Sequence, residues 1–173
     1  MSKAAMETPQ GLLARLAELG IEARTVTHPP VFTVAESKAL RPDLPGGHVK
    51  NLFLKPEKAA GPFLLASIEE DRPVKVNALV RALGLPRSGF ADAEALWAQL
   101  GVEPGSVTPF GLVNAAPGAI RAVFDRALMQ DHDWVNIHPL TNTMTTAIRP
   151  EDLLRFLRAL GHAPELVELP NPA

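Results

Sequence analysis

The chain has 173 residues, of which 46% are hydrophobic and 21% charged, an ordinary composition for a soluble globular protein, and we expect one domain over residues 1–173. The absence of cysteine excludes disulfides, thiol catalysis and thiolate metal sites, and the net charge of −2 argues against a broad nucleic-acid-binding surface. No apolar run approaches the ~20 residues of a membrane helix, and residues 1–7 lack the apolar core of a signal peptide, so the expected location is the cytoplasm.

The N-terminal half alternates short helical and extended patterns. Thr8 offers a capping hydroxyl to the first helix, and Pro9 suits its first turn. Because the runs 48–55 and 63–68 are joined by a short polar loop, they should pair antiparallel. The predicted elements are helices over 8–20, 35–40 and 77–83 and strands over 21–27, 48–55 and 63–68.

The C-terminal half mixes strands and helices in the same way. Asp92 is placed to cap a helix that ends at Gly101, Pro150 opens a helix with an acidic first turn, and the tail after Pro164 should be loose. Strict βαβ alternation is missing, so we predict an α/β fold with a single mixed, largely antiparallel sheet flanked by helices. The predicted elements are helices over 92–101 and 150–160, a turn or short helix over 125–129, and strands over 89–91, 112–114, 120–124, 134–138 and 143–148.

The strand over 48–55 carries the first candidate site. Lys50 shares a face with Leu52 and Leu54, because side chains alternate along a strand. A lysine on an apolar face either reaches out to water or is present for its charge. Asn51 follows it directly and should point to the opposite face, so both can line one site only if the strand twists or bulges.

The loop over 105–111 is the second candidate, with glycine at both ends and hydroxyls at Ser106 and Thr108. Its backbone N–H groups could bind an anion or an oxyanion. A tight connection between a helix and a strand would show the same pattern. His138 and Asn142, near a strand end, could bind a small polar substrate, although His138 could equally be structural.

The sequence lacks the motifs of several other common catalytic and binding sites. The histidines form no HxxxH or HExxH pair, there is no GxSxG elbow, and the phosphate-loop and dinucleotide fingerprints are absent. Residues 38–87 hold 9 Lys/Arg and 5 Asp/Glu, a local balance of +4 that could meet a few phosphates or could be chance clustering on a solvated surface. The remaining features fit a hydrolase that depends on positioning and substrate assistance, and they fit a binding pocket equally well.

Three segments together resemble the prolyl-tRNA editing domain family, which contains the editing insertion of bacterial prolyl-tRNA synthetases and its freestanding relatives. The resemblance runs from about Thr8 to Leu160, and it is specific because the three blocks occur in this order and spacing. The pairing of Lys50 with Asn51 and the third block are most similar to freestanding alanyl-tRNA(Pro) deacylases. The segments are His48-Val49-Lys50-Asn51-Leu52-Phe53-Leu54-Lys55, Gly105-Ser106-Val107-Thr108-Pro109-Phe110-Gly111 and His138-Pro139-Leu140-Thr141-Asn142-Thr143.

The resemblance implies an enzyme of the aminoacyl-tRNA editing fold that acts in trans on mischarged aminoacyl-tRNA(Pro), chiefly Ala-tRNA(Pro), and spares Pro-tRNA(Pro). It implies no metal or organic cofactor, and a ribose hydroxyl of the tRNA would help to activate water. The partner is the acceptor end of tRNA(Pro), with prolyl-tRNA synthetase and an elongation factor as candidate protein partners. Lys50 would be catalytic. The implied substrate-binding residues are Asn51, Gly105, Ser106, Val107, Thr108, Pro109, His138, Asn142 and Phe32.

Two alternatives stay open. A relative with the same motifs could prefer Cys-, Ser- or another aminoacyl-tRNA, and a catalytically silent module could bind tRNA ends or a synthetase. The amino-acid preference depends on which of Phe32, Val34, Leu52 and Phe110 face the pocket.

Overall fold

The computed structural model describes residues 5–39, 44–58 and 60–169. These residues form six α-helices, one 3₁₀ helix and eight strands. The helices are α1 (Pro9–Glu18), α2 (Val34–Ala39), α3 (Val76–Ala82), α4 (Ala93–Leu100), the 3₁₀ helix (Pro109–Asn114), α5 (Arg126–Asp131) and α6 (Pro150–Ala159). The strands are β1 (Ala23–Thr27), β2 (Gly47–Pro56), β3 (Phe63–Glu69), β4 (Ser88–Phe90), β5 (Ile120–Asp125), β6 (Val135–Ile137), β7 (Met144–Ile148) and β8 (Glu165–Val167).

The capping signals in the sequence act as predicted. Thr8 Oγ1 accepts a hydrogen bond of 2.9 Å from the Gly11 N–H at the start of α1. Asp92 Oδ1 accepts one of 2.8 Å from the Ala95 N–H at the start of α4, and Gly101 ends that helix in the left-handed conformation. The predicted helix over 35–40 is α2, although Leu40 lies outside the described residues.

Two predictions were wrong. Residues 112–114 belong to the 3₁₀ helix and form no strand, because Thr108 Oγ1 accepts a bond of 3.2 Å from the Phe110 N–H and Pro109 occupies the first helical position. The segment after Pro164 is not loose. Over its described part it forms β8, which pairs in parallel with β5 and places Glu165 in an ion pair of 2.8 Å with Arg121.

The predicted mixed sheet is confirmed. Its strand order is β1-β7-β6-β2-β3-β5-β8, with β4 paired to β2 outside this path. The pairs β1–β7, β6–β7, β2–β3 and β2–β4 are antiparallel, whereas β2–β6, β3–β5 and β5–β8 are parallel. Strand β2 therefore lies in the middle of the sheet.

Apolar side chains cover the sheet in two clusters. The larger cluster joins Phe53 and Leu65 to buried residues of α1, α4, the 3₁₀ helix and α6. The smaller one joins Leu54 and Ile68 to α3. Because Phe53 and Leu54 are neighbours in β2, the two clusters lie on opposite faces of the sheet. Among the described helices, none is long and apolar enough to span a membrane.

Candidate active site

Strand β2 has a gap in one of its edges. On one side it pairs with β3 without interruption from Val49 to Leu54. On the other side it pairs with β6 only at residues 47–48 and with β4 only at 54–56, with one further bond from the Ala91 N–H to the Phe53 carbonyl. No strand of the described residues therefore pairs with residues 49–52 on this edge, and a cleft opens there.

Both candidate side chains of β2 border this gap. The register of β2 with β3 is regular through Lys50 and Asn51, so the two side chains point to opposite faces, as predicted. The pairing with β3 shows no bulge in this stretch. An interrupted edge exposes both faces of a strand, and Val49, Lys50 and Asn51 all line the cleft.

The cleft has a volume of about 450 Å³. Strand β2 forms one wall, the segment leading into α2 forms another, and the loop at Gly105 closes a third side. It brings together six of the predicted site residues and several that were not predicted. Its lining is Val31, Phe32, Thr33, Val34, Ser37, Val49, Lys50, Asn51, Glu70, Phe90, Gly105, Val107 and His138.

Lys50 is half-buried and supplies a cation to the cleft. Its Nζ donates a short hydrogen bond to the Arg72 carbonyl in the segment between β3 and α3. None of the ion pairs between described residues involves Lys50. The ammonium is therefore oriented by a neutral acceptor, which leaves its charge available to a substrate.

Asn51 connects β2 to the glycine loop. Its Nδ2 donates a bond of 3.2 Å to the Val107 carbonyl, and its Oδ1 accepts one of 2.6 Å from Ser67 Oγ. These two bonds fix the orientation of the amide. One Nδ2 hydrogen and one Oδ1 lone pair remain for a ligand.

Gly105 lies so close to Phe32 that a side chain at this position would require the ring to move. It has a φ of +89°, and a Cβ atom there would lie 2.7 Å from Phe32 Cδ1. Asn142 holds the residue before Phe32 in place, because its Nδ2 donates a hydrogen bond of 2.9 Å to the Val31 carbonyl. The glycine loop and the segment before α2 are thus packed together.

Four other residues considered as site or pocket residues lie elsewhere. Ser106 and Asn142 line a neighbouring cleft of about 280 Å³ with Trp97. Thr108 and Pro109 are buried at the start of the 3₁₀ helix and line neither cleft. Thr108 Oγ1 accepts a bond from the Phe110 N–H and so shapes the end of the loop.

The four residues considered as determinants of pocket volume also lie in different places. Phe32 and Val34 line the cleft. Leu52 packs with the smaller cluster on the α3 side. Phe110 is fully buried and packs edge-on against Phe156, with ring centroids 6.0 Å apart.

His138 follows β6 and is held by β7. One ring nitrogen, Nδ1, lies 2.9 Å from the Met144 carbonyl and must donate to it, which leaves Nε2 as an acceptor. Burial lowers the pKa of His138, the bond to Met144 raises it, and the nearby His28 lowers it further. The imidazole is therefore neutral at pH 7 and can accept a hydrogen bond.

Two residues of the cleft carried no recognised signal in the sequence. Glu70 is 8% exposed and follows β3, where the acidic run 69–71 was interpreted only as a strand end. Phe90 is 68% exposed and also borders a second groove of about 590 Å³ between α3 and β4. Lys75 and Arg81 line that groove, and none of the acidic residues that the structure describes does.

The described residues offer little for metal binding. No group of three or more histidine, aspartate or glutamate side chains within the described ranges is arranged to hold a metal ion. The chemistry available in the cleft consists of an ammonium, an amide, a neutral imidazole, the carboxyl group of Glu70, the hydroxyls of Thr33 and Ser37, and the backbone of a glycine loop.

Comparison with known proteins gives a consistent result. The model of a family described as the aminoacyl-tRNA editing domain matches residues 28–156. A Bos taurus protein named prolyl-tRNA synthetase associated domain-containing protein 1 is 38% identical over 93% of this chain and 95% of its own length. The prolyl-tRNA editing protein ProX of Acetoanaerobium sticklandii is 30% identical over 95% of this chain and 99% of its own length.

A solved structure agrees with these relatives at the level of fold. It is provisionally described as a trans-editing enzyme for prolyl-tRNA synthetase, and it superposes with a TM-score of 0.66. The two chains are 21% identical, and the match covers 95% of this chain and 98% of the other.

Proposed function

This chain belongs to the aminoacyl-tRNA editing domain family, and we propose that it hydrolyses the ester bond of mischarged aminoacyl-tRNA(Pro). The observation that carries the proposal is the gap in the edge of β2. It exposes the ammonium of Lys50 on one face of the strand and the amide of Asn51 on the other, and both line the cleft that the loop at Gly105 borders. An ester between an amino acid and a ribose needs groups of this kind to hold an ammonium, a carbonyl and hydroxyls.

The reaction needs a water molecule and charge stabilisation. Water attacks the carbonyl carbon of the ester, the bond to the ribose oxygen breaks, and that oxygen takes a proton to release a free amino acid and tRNA. The charge of Lys50 would orient the ester and stabilise the oxyanion that develops. The neighbouring ribose hydroxyl would help to activate the water, so the proposal requires no metal or cofactor.

The other residues would position the substrate. Asn51 Oδ1 has a free lone pair for the α-ammonium of the amino acid. The backbone of Gly105 to Val107 would contact the carbonyl and the terminal adenosine, and His138 Nε2 would accept a hydrogen bond from a hydroxyl or water. Ser106 and Asn142 would act through the loop, since they line the neighbouring cleft.

The groove between α3 and β4 would receive the rest of the acceptor end. It shares Phe90 with the cleft, and within the described parts of the chain it is lined by Lys75 and Arg81 without a carboxylate. A cationic groove beside an exposed aromatic ring is the usual arrangement for single-stranded nucleic acid. The acceptor end of tRNA(Pro) could therefore run from this groove into the cleft.

Alanine is the expected amino acid. A site built for proline rejects alanine poorly, because a few methylenes change binding by only about 1–3 kcal/mol. A second site that admits alanine and excludes proline by size would complete a double sieve. In this cleft Val31, Phe32 and Val34 are the apolar residues placed to set that size limit.

The biological setting follows from this reaction. The partners would be the acceptor end of tRNA(Pro) and, for delivery of the substrate, prolyl-tRNA synthetase or an elongation factor. The ProX relative carries the name of an editing protein, whereas the bovine relative is named only for its association with the synthetase. The reaction would take place in the cytoplasm, by a single domain acting in trans.

The test is single-turnover deacylation of Ala-, Cys-, Ser- and Pro-tRNA(Pro) by the purified protein in the presence of EDTA. We expect rapid release of alanine and sparing of proline. Preference for Cys- or Ser-tRNA(Pro) would support the same hydrolysis with a different aminoacyl-tRNA as the substrate. Failure to hydrolyse any of the four would favour the alternative of a module that only binds tRNA or a synthetase.

A further inference from the structure

Arg72 touches three parts of the chain that are distant in sequence. Its carbonyl oxygen accepts the hydrogen bond from Lys50 Nζ. Its Nη2 donates a bond of 2.9 Å to the Leu169 carbonyl near the end of the described chain, and its Nη1 lies 3.6 Å from Asp125 Oδ2. The residue that orients the ammonium is thus itself anchored by the C-terminal segment and by the end of β5.

The carboxylate of the anchoring ion pair is buried, whereas the Arg72 side chain is 25% exposed. Asp125 is 2% exposed, and its Oδ1 caps α5 by accepting a bond of 3.2 Å from the Ala127 N–H. Its Oδ2 and the Arg72 Nε have no hydrogen-bond partner among the described residues. A buried carboxylate oxygen without a hydrogen bond depends on a nearby counter-charge, so the ion pair with Asp125 helps to hold the guanidinium at this position.

The backbone around Arg72 is tied to the same region of β2. The Glu70 N–H donates a bond of 3.0 Å to the His48 carbonyl, and the Arg72 N–H donates one of 3.0 Å to the Glu69 carbonyl. These bonds close the turn after β3 against the start of β2. The orientation of the Arg72 carbonyl therefore depends on the turn on one side and on the anchored side chain on the other.

We propose that Arg72 is a positioning residue for Lys50, held in place by Asp125 and by the Leu169 carbonyl; this inference rests on the proposed deacylase function. A lysine side chain has a flexible four-carbon stem, and an unrestrained ammonium samples many positions. The Arg72 carbonyl restricts it without neutralising its charge. The C-terminal segment, which lies outside the cleft, would thereby contribute to catalysis.

The first test observes the lysine directly. The chain has six lysines, so in a protein labelled with ¹³C at lysine the ε-methylene signal of Lys50 can be assigned by its absence in Lys50→Arg. In Arg72→Met this signal should move toward the position of the exposed lysines. Arg121→Met is the matched control, because Arg121 also binds the C-terminal segment through Glu165. Its other bond goes to the Leu83 carbonyl after α3, and it makes no hydrogen bond or ion pair with the described residues of the turn that holds Lys50.

The second test measures catalysis. Arg72→Met should lower the single-turnover rate by about 10²-fold, the scale of a misplacement of about 1 Å, with tRNA affinity changed little. Arg72→Lys, which keeps a charge for Asp125, should recover part of the rate. In the Lys50→Ala background Arg72→Met should have no further effect on the residual rate, because its effect acts through Lys50.

Two results would overturn the inference. One is an unchanged Lys50 signal in a folded Arg72→Met protein. The other is an equal loss of rate in Arg121→Met, which would assign the effect to stability alone. A wild-type protein without deacylase activity would instead refute the proposed function, and the lysine spectra would still decide whether Arg72 restrains Lys50.

Discussion

Lys50 is the residue on which the proposed chemistry depends most. Its position in the cleft is clear from the gap in the edge of β2, and its ammonium is oriented by a neutral carbonyl. The sequence already showed the conflict that marks it, a lysine on an otherwise apolar strand face. Its acceptor could not be read from the sequence, because Arg72 is brought beside it only by the turn after β3.

Replacement of Lys50 should separate catalysis from binding. In Lys50→Ala we expect the single-turnover deacylation rate to fall by about 10²–10³-fold, the usual cost of losing one group that stabilises an oxyanion. Affinity for tRNA should change little, because other cations and the Phe90 ring contribute to it. The measurements are single-turnover kinetics and filter binding.

Lys58→Ala provides the control for Lys50→Ala. Lys58 is exposed, lies in the connection after β2 and does not line the cleft, so its removal should leave the rate unchanged. Full deacylase activity in Lys50→Ala would show that Lys50 is not the catalytic residue. Equal losses in both variants would point to a general loss of positive charge.

At the scale of helices and strands, the sequence predicted the elements whose ends carry strong local signals. Thr8 and Asp92 cap their helices as expected, and Gly101 ends one of them. The 3₁₀ helix was missed because Leu112 and Val113 look like part of a strand, although Thr108-Pro109 is itself a helix-start signal. Strand β8 was missed because three residues pairing in parallel with β5 leave no local signature.

The loop at Gly105 offers a test at this scale. Gly105 and Gly118 have similar positive φ values, +89° and +86°, so alanine at either position should cost about 1–2 kcal/mol of unfolding free energy. Of the two, only Gly105 lies against Phe32, since no atom of the described residues beyond its chain neighbours lies within 4 Å of a Cβ atom at Gly118. Gly105→Ala should therefore also displace Phe32 and lower the deacylation rate by about 10-fold or more.

Two measurements check this expectation. Chemical denaturation compares the stability of Gly105→Ala and Gly118→Ala, and single-turnover kinetics compares their rates. Gly118→Ala should lose stability and keep its rate. If the two variants lose the same rate for the same loss of stability, the contact between Gly105 and Phe32 has no role in the site.

At the scale of the whole molecule, distant segments converge on one cleft. The resemblance of three sequence blocks indicated the family and the fold, but the arrangement of the blocks depends on the parallel pairs of β2 with β6 and β3 with β5. Nothing in the local sequence of these strands specifies such partners. The gap between β6 and β4, which exposes Lys50 and Asn51 together, is a property of the complete sheet. That the chain forms one domain over 1–173 stays a prediction.

Charge is also distributed unevenly over the molecule. Residues 38–87 carry a balance of +4 within a chain of net charge −2, and the groove between α3 and β4 lies within that range apart from three residues at its end. Because the molecule as a whole is slightly acidic, most of its surface would repel a polyanion. A basic groove can therefore restrict where tRNA binds. Substrate affinity should then fall steeply with salt through a few phosphate contacts.

The salt dependence separates the charged contacts from the aromatic one. Lys75→Ala and Arg81→Ala should each lower the slope of log affinity against log salt by about 1, because each removes one phosphate contact. Phe90→Ala should weaken binding by about 1–3 kcal/mol, the cost of losing one stacked base, without changing the slope. Arg158→Ala, an exposed position on α6 outside the groove and the cleft, should leave affinity and slope unchanged. If the three groove variants bind tRNA like the wild type and the Arg158→Ala control over the whole salt range, the acceptor end does not enter the cleft from the side of α3 and β4.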